Sequence, residues 1–238
     1  ILQRRFLEFI SNNTFVTYVS GSIQSFMINQ YNPSQEIILS NKLKNIFFAC
    51  SSHDKKYYME EINFIISLSQ LITNIGFDFN LYFKPYYTDV DSLSDFDVLK
   101  DHGITIYVDH LDLINYNNSK THIYNITNFN KRLDFINNCD LYINIGTTMV
   151  LEVAHLETPI LQMHKEFFRI NEDFINLYNW VNVEHLDLIF INSLSCVKDL
   201  STLNSSLISL LNKDASLMSD NTLYKNYLKM ILGEPIKL

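Results

Sequence analysis

Residues 138–161 read NCDLYINIGTTMVLEVAHLETPIL, and this stretch decides the fold. The run 141–145 is short, apolar and rich in β-branched and aromatic side chains, the look of a strand buried in a parallel sheet. Gly146 follows where the backbone has to turn, and Thr147 and Thr148 carry hydroxyls placed to cap the first turn of a helix. Val150, Val153 and Ala154 then recur at helical spacing until Thr158-Pro159 stops the helix, and a new strand is expected over 159–161. A strand, a tight turn and a helix N-terminus direct backbone N–H groups and the positive end of the helix dipole beyond the strand's carboxyl end, where phosphate is the usual guest. Glu152 comes four residues after Thr148, so both project from one helix face, about 6 Å apart along the axis. That is close to the separation between a nucleotide's phosphate and its ribose hydroxyls, and a carboxylate accepts well from two vicinal hydroxyls. A capped helix with a solvent-facing Glu accounts for the same residues.

The alternation continues outward from this stretch. Strands are expected over 46–50, 79–83 and 104–108, separated by helices over 57–75, 93–101 and 129–137, with Gly76 and Gly103 ending the first two. Beyond the central stretch, 164–180 reads as irregular and aromatic, 187–191 as a last strand, and 197–211 and 217–232 as closing helices. A small additional strand is expected over 122–126, after a polar, Asn-rich loop over 109–120. Apolar runs alternating with helices specify an α/β fold: a Rossmann-like, doubly wound, mostly parallel sheet of about six strands with helices on both faces.

Residues 1–44 stand apart from this pattern, with a helical stretch over 1–10, a strand over 15–19, a helix over 23–30 and a strand over 37–39. One strand-helix unit cannot form a sheet alone. This piece is either an edge addition to the main sheet or the tail of an upstream domain, linked through residues 40–44, and the absence of Met at Ile1 fits a fragment. Residues 1–44 would be the end of an N-terminal domain or its crossover segment, and 45–238 a C-terminal nucleotide-binding domain with closing helices.

Composition narrows the function classes. The 238 residues are 47% hydrophobic and 13% aromatic, ample for a core. A formal charge of -8 and a pI near 5.3 argue against a nucleic-acid surface, and no basic run suggests an anionic-membrane footprint. Apolar stretches are interrupted well before the 18 or so residues that span a bilayer, and no secretory signal opens the chain. A cytoplasmic protein is expected, peripheral to the inner membrane face through its acceptor-binding parts. Cys50, Cys139 and Cys196 are odd in number and lie beside apolar runs, so they read as reduced core residues.

In an open parallel sheet, ligands sit outside the carboxyl ends of the strands where the strand order reverses. That gathers four loops, 51–56, 84–88, 107–110 and 146–148. Lys84 is the only basic residue at a strand end, suited to a phosphate and equally to solvent. Ser51, Ser52 and His53 can donate to a phosphate or a sugar, and a helix-capping loop explains them too. Tyr107 opens the third of these loops. The histidines and cysteines lack metal-ligand spacing, and there is no Gly-X-Ser-X-Gly elbow, Walker loop or dinucleotide glycine fingerprint. With only five glycines, phosphate has to be held by helix ends and side chains.

The run 140–159, DLYINIGTTMVLEVAHLETP, resembles the donor-nucleotide motif of GT-B glycosyltransferases, in which a strand ends in small or hydroxyl residues and a helix carries a Glu before a Gly-X-Pro-like stop. Residues 80–85 resemble the apolar strand and Lys-Pro that precede a His-Pro pair in bacterial surface-polysaccharide, glycerophosphate-type and sialyl-type transferases. The resemblance covers roughly 46–211, the nucleotide-binding C-terminal half of such enzymes. It implies that Thr147 and Thr148 contact the donor phosphates, that Glu152 contacts the ribose, and that the loops after Tyr107 and Ile126 contact the base. The nucleotide-sugar would be a substrate, with a glycan or lipid-linked acceptor and no cofactor or metal. The sequence departs from the pattern at Tyr86-Tyr87 in place of His-Pro, at Thr158 in place of Gly, and at Asn144 in place of the first Glu of the retaining-type pair. Donor base, sugar, stereochemistry and catalytic base stay unassigned; in inverting members of the family the base usually comes from the N-terminal half.

The resulting expectation is the donor-binding half of a metal-independent GT-B glycosyltransferase of surface polysaccharide synthesis. A nucleotide-sugar epimerase of the same fold and a non-catalytic α/β interaction domain are the alternatives.

Overall fold

The chain from Lys44 onward builds a sheet whose strands are buried on both faces, which is why they read as continuous apolar runs. The computed structural model describes residues 31, 33, 39, 43–52, 54–86, 90–108, 126–147, 149–156, 158–169, 172–180 and 196–213. Strand β1 (Lys44–Ala49) shows the logic: Ile46 and Phe48 feed one core, Phe47 and Ala49 the other. Helix α1 (Lys55–Asn74) is capped by Asp54, whose side chain accepts from the Lys56 N–H, and it stops before Gly76, where φ is +87°. Strand β2 (Phe79–Lys84) follows, then a 3-10 turn over Val90–Phe96 running into α2 (Asp97–Asp101), and β3 (Thr105–Ile106).

After the first three strands the chain crosses to the other side of β1. Helix α3 (Ile126–Asn137), β4 (Leu141–Asn144), α4 (Val150–His155), β5 (Ile160–Met163), α5 (Lys165–Arg169), a 3-10 turn over Glu172–Phe174, α6 (Ile175–Trp180), β6 (Cys196–Val197) and α7 (Leu200–Leu211) complete the described elements. All six strands pair in parallel, in the order β3-β2-β1-β4-β5-β6. Phe48 lies in register with Phe83 on β2 and Ile143 on β4, so the three strands end together.

One face of the sheet is covered by α1, α2 and α7, with Phe64, Phe168 and Phe174 packed edge to face between α1 and the segment after β5. The other face is covered by α3 and α4, where Phe135 packs against Phe47 and Tyr82, and Tyr142 lies fully buried. The architecture is therefore the expected Rossmann-like, doubly wound α/β sheet of six strands with helices on both faces. Every described strand pair is parallel. Among the described residues before position 44, Tyr31 donates a 2.7 Å hydrogen bond from its hydroxyl to Asp134 on α3, and Leu39 packs on the second core.

Several local expectations are corrected. Ile126 is the first residue of α3, not the end of a strand. Residues 164–180 contain two short helices and a 3-10 turn, because Phe168, Phe174 and Leu177 present an apolar face to α1. Val197 belongs to β6, paired beside Met163. The final described helix begins only at Leu200, where extended Asp199 forms a capping box with Thr202. The stretches expected at 1–10, 15–19, 23–30, 109–120, 122–125, 187–191 and 217–232 lie outside the described residues, as does the strand expected over 37–39 apart from Leu39.

Candidate functional site

The strand order reverses between β1 and β4, since successive strands run outward from β1 in one direction and from β4 in the other. The crevice at the carboxyl ends of these two strands is where a doubly wound sheet takes its ligand. From β1 it receives Cys50, Ser51 and Ser52, and from β4 it receives Ile145, Gly146 and Thr147. Lys84 ends β2 beside Ala49, and Tyr107 follows β3, its N–H bonded to the Phe83 carbonyl at 2.8 Å. The topology thus brings Ser51, Ser52, Lys84, Tyr107, Gly146 and Thr147 to one sheet edge. His53 and Thr148 lie outside the described residues.

The side chains among them are already engaged. The Ser51 N–H is shared between the two carboxylate oxygens of Glu61 at 3.1 and 3.0 Å, and the Ser51 hydroxyl hydrogen-bonds Glu61 Oε1 as well. Ser52 Oγ accepts from the Asp54 N–H at 3.1 Å, which shapes the turn into α1. Lys84 is buried, with its ammonium 3.5 Å from the Pro85 carbonyl oxygen. Tyr107 stacks on Phe135 with ring centroids 4.3 Å apart and so is half buried against the second core.

The turn after β4 differs from the capped helix expected there. Helix α4 spans six residues, and its N-cap position is Met149, which has no side-chain cap. Thr147 does use its hydroxyl, but to accept from the Met149 N–H at 3.2 Å within the turn. The Thr147 N–H is itself donated to Asn144 Oδ1 at 3.1 Å. The Thr147 and Met149 N–H groups are therefore both taken up within this turn. Gly146 has no left-handed φ, and a Cβ built on it would meet nothing within 4 Å, so its neighbourhood is open.

Glu152 is neither solvent-facing nor a simple crevice acceptor. It is 4% exposed and takes two hydrogen bonds from Arg132 on α3, Nε to Oε2 at 3.1 Å and Nη2 to Oε1 at 3.0 Å. The fork-to-carboxylate geometry is the strong, bidentate kind, and Phe129 lies under the guanidinium, its ring centroid 5.0 Å away. Any ribose hydroxyl approaching Glu152 would have to share it with Arg132.

Three further groups complete the site: Glu61 and Gln162, which the linear sequence did not single out, and Asn144, which it marked only as a departure from the retaining-type pair. Glu61 is fully buried on α1 beneath the β1 loop, and burial pushes its carboxyl up from 4.5 to about 7. Asn144 and Gln162 form a buried polar pair under the β4 turn, with Asn144 Nδ2 donating to Gln162 Oε1 at 2.6 Å. Gln162 Nε2 in turn donates to the Ile145 and Met163 carbonyls at 3.1 and 2.8 Å. A signal existed for this pair: polar amides interrupt two otherwise apolar strands, and a buried amide must find partners. Among the described residues there is no cluster of His, Cys, Asp and Glu suited to a metal, and no helix is long and apolar enough to cross a membrane.

No family model matches the chain, and no curated protein matches it. Among solved structures, TarM aligns at 10% identity with a TM-score of 0.48, covering 85% of this chain and 34% of TarM. The E. coli ADP-heptose LPS heptosyltransferase II aligns at 11% identity with a TM-score of 0.38, covering 82% of this chain and 53% of that enzyme. The chain thus spans a third to a half of the length of these two proteins.

Proposed function

We propose that this chain is the nucleotide-sugar-binding half of a GT-B-type glycosyltransferase that moves a sugar from a nucleotide donor to a hydroxyl acceptor in surface polysaccharide synthesis. The observation that carries this reading is the β1/β4 reversal point, where Ser51, Ser52, Gly146 and Thr147 meet at an edge with open space beside Gly146. The likeness of residues 140–159 to a donor motif supports it independently.

In such a transfer the bond between the anomeric carbon and the donor's phosphate oxygen breaks as the acceptor oxygen attacks, and the acceptor's proton passes to a base. Negative charge grows on the departing phosphate. Among the described residues, Lys84 at the end of β2 and the backbone beside Gly146 lie at the edge where they would stabilise it. If the transfer inverts, the resemblance would take the proton-accepting base from the N-terminal half of such an enzyme. Donor recognition needs no metal in this scheme.

One observation favours a second reading, a non-catalytic interaction domain with a silent crevice: Arg132 occupies Glu152 and Asn144 occupies the Thr147 N–H. Thermal-shift measurements with CMP, UDP, GDP and CDP separate the two. The transferase reading expects one nucleotide to raise Tm in a concentration-dependent way, with calorimetry then showing weaker binding for Glu152→Ala. Stabilisation by none of the four would leave the interaction domain as the better account.

A further inference from the structure

Glu61 stands out among the buried charged groups. Of the other carboxylates less than a tenth exposed, Glu152 has Arg132, Glu60 accepts from Asn176 and the Leu177 N–H, and Asp134 accepts from Tyr31. Glu61 is fully buried, and its described partners are the Ser51 N–H and hydroxyl, with the Cys50 thiol beside it. No cationic side chain pairs with it among the described residues. Its place is also particular: it lies under the first loop of the β1/β4 crevice, where an anionic ligand would approach.

We propose that Glu61 is a proton-linked positioning residue: it takes up a proton when a phosphate-bearing ligand occupies the crevice, and its protonation state sets the hydrogen-bond polarity of the Ser51 loop. The inference rests on the nucleotide-binding reading given above. In the ionised state Glu61 can only accept, so both the N–H and the hydroxyl proton of Ser51 are committed inward. A buried negative charge then also opposes an incoming phosphate. In the protonated state one oxygen still accepts from the Ser51 N–H while the other donates to Ser51 Oγ. The hydroxyl proton of Ser51 is then no longer committed to Glu61, and the opposing charge is gone.

The groups facing Glu61 do not compete for this role. Among the described residues the thiol beside it is that of Cys50 at the end of β1, and the Tyr142 phenol lies across the sheet on the other face; burial pushes both well above their ordinary values, so both are neutral near pH 7. Tyr58, on the same helix as Glu61, is pushed up to about 12 and is neutral as well. The remaining group, Glu61 itself, titrates at about 7.

The test uses the whole chain in three measurements. In the free protein, the Ser51 amide proton resonance should shift with a midpoint near pH 7 and become flat in Glu61→Gln, an isostere that imitates the protonated acid. Calorimetry with the nucleotide selected by thermal shift, repeated in buffers of different ionisation enthalpy, should show proton uptake. Affinity should fall by up to about tenfold per pH unit above 7. Glu61→Gln should bind at the low-pH affinity of the wild type throughout. A Ser51 resonance that does not move between pH 5.5 and 8.5 in the wild type overturns the proposal, as does an affinity profile identical in wild type and Glu61→Gln. Failure of the wild type to bind any nucleotide at any pH overturns the donor-site reading and this coupling with it, an outcome distinct from binding that ignores Glu61.

Discussion

Arg132 on α3 and Glu152 on α4 form a bidentate ion pair with both residues buried, 5% and 4% exposed, and it locks the two helices that cover one face of the sheet. The pair's chief requirement is mutual presence. Removing one member leaves an uncompensated charge, which typically costs about 3–5 kcal/mol, whereas replacing both by apolar groups of similar size is often neutral. Arg132→Met alone should lower unfolding free energy in urea by about that amount. The double variant Arg132→Met with Glu152→Met should recover most of it, and a double variant as weak as the single would show that the pair is not the source of the loss.

Glu60 joins α1 to α6 by accepting from the Asn176 N–H at 3.2 Å, Asn176 Nδ2 at 2.6 Å and the Leu177 N–H at 2.8 Å. Glu60→Ala strands these donors at the start of a short helix. A loss of about 1–3 kcal/mol is expected, with amide exchange rising in 175–180 before the rest of the domain.

The pH dependence of stability should carry the mark of Glu61. Its carboxyl titrates at about 7 when folded against 4.5 in the reference state, so between these values the native protein binds more protons than the unfolded chain. Stability from this group therefore falls as pH rises from about 4.5 to about 7, by a total of roughly 3 kcal/mol, and is level above 7. Urea midpoints for wild type and Glu61→Gln should diverge across that window, the variant gaining on the wild type as pH rises. A constant difference from pH 4.5 to 8 would refute the assignment.

Asn144→Ala removes the acceptor of the Thr147 N–H and the donor to Gln162 Oε1, both within the buried network under the β4 turn. A stability loss of roughly 2–3 kcal/mol is expected. Nucleotide affinity should fall as well, because the turn after β4 loses its anchor. Calorimetry showing unchanged affinity would separate this turn from the binding site.

Gly146→Ala should behave oppositely. Its Cβ would enter open space and its φ is not left-handed, so the fold should tolerate it within about 0.5 kcal/mol, with a small gain expected from a less flexible unfolded chain. If a phosphate approaches the backbone here, affinity should still drop severalfold. Unchanged affinity would move the phosphate elsewhere along the crevice.

Most of the sheet was legible because parallel strands advertise themselves. Ile46, Phe47, Phe48 and Ala49 are apolar in succession since two cores claim alternate side chains, and the same holds for 141–143. Helix α1 was readable from its stripe and from Gly76, whose φ of +87° is the conformation a helix-ending glycine supplies. The segment after β5 was not, because Phe167, Phe168 and Phe174 have no clean helical period and become ordered only against Phe64. The sequence places Val197 in a helix for a related reason: a two-residue strand carries no periodicity, and pairing beside Met163 decides it.

Sequence alone determined that this chain forms an alternating α/β sheet and that Ser51, Ser52, Lys84, Tyr107, Gly146 and Thr147 stand at strand ends, because strand identity and chain order fix which residues reach the carboxyl edge. Only tertiary structure decided what those residues are doing. Arg132 and Glu152 lie 20 positions apart, and Ser51 and Glu61 lie 10 apart. Their pairing depends on how helices seat on the sheet. Burial then turns a carboxylate expected to face solvent or a ribose into one locked to arginine, and another, unremarkable on α1, into an acid that titrates at about 7. Local pattern records which face of an element is apolar, whereas the partner and dielectric surroundings of a charge are properties of the assembled fold.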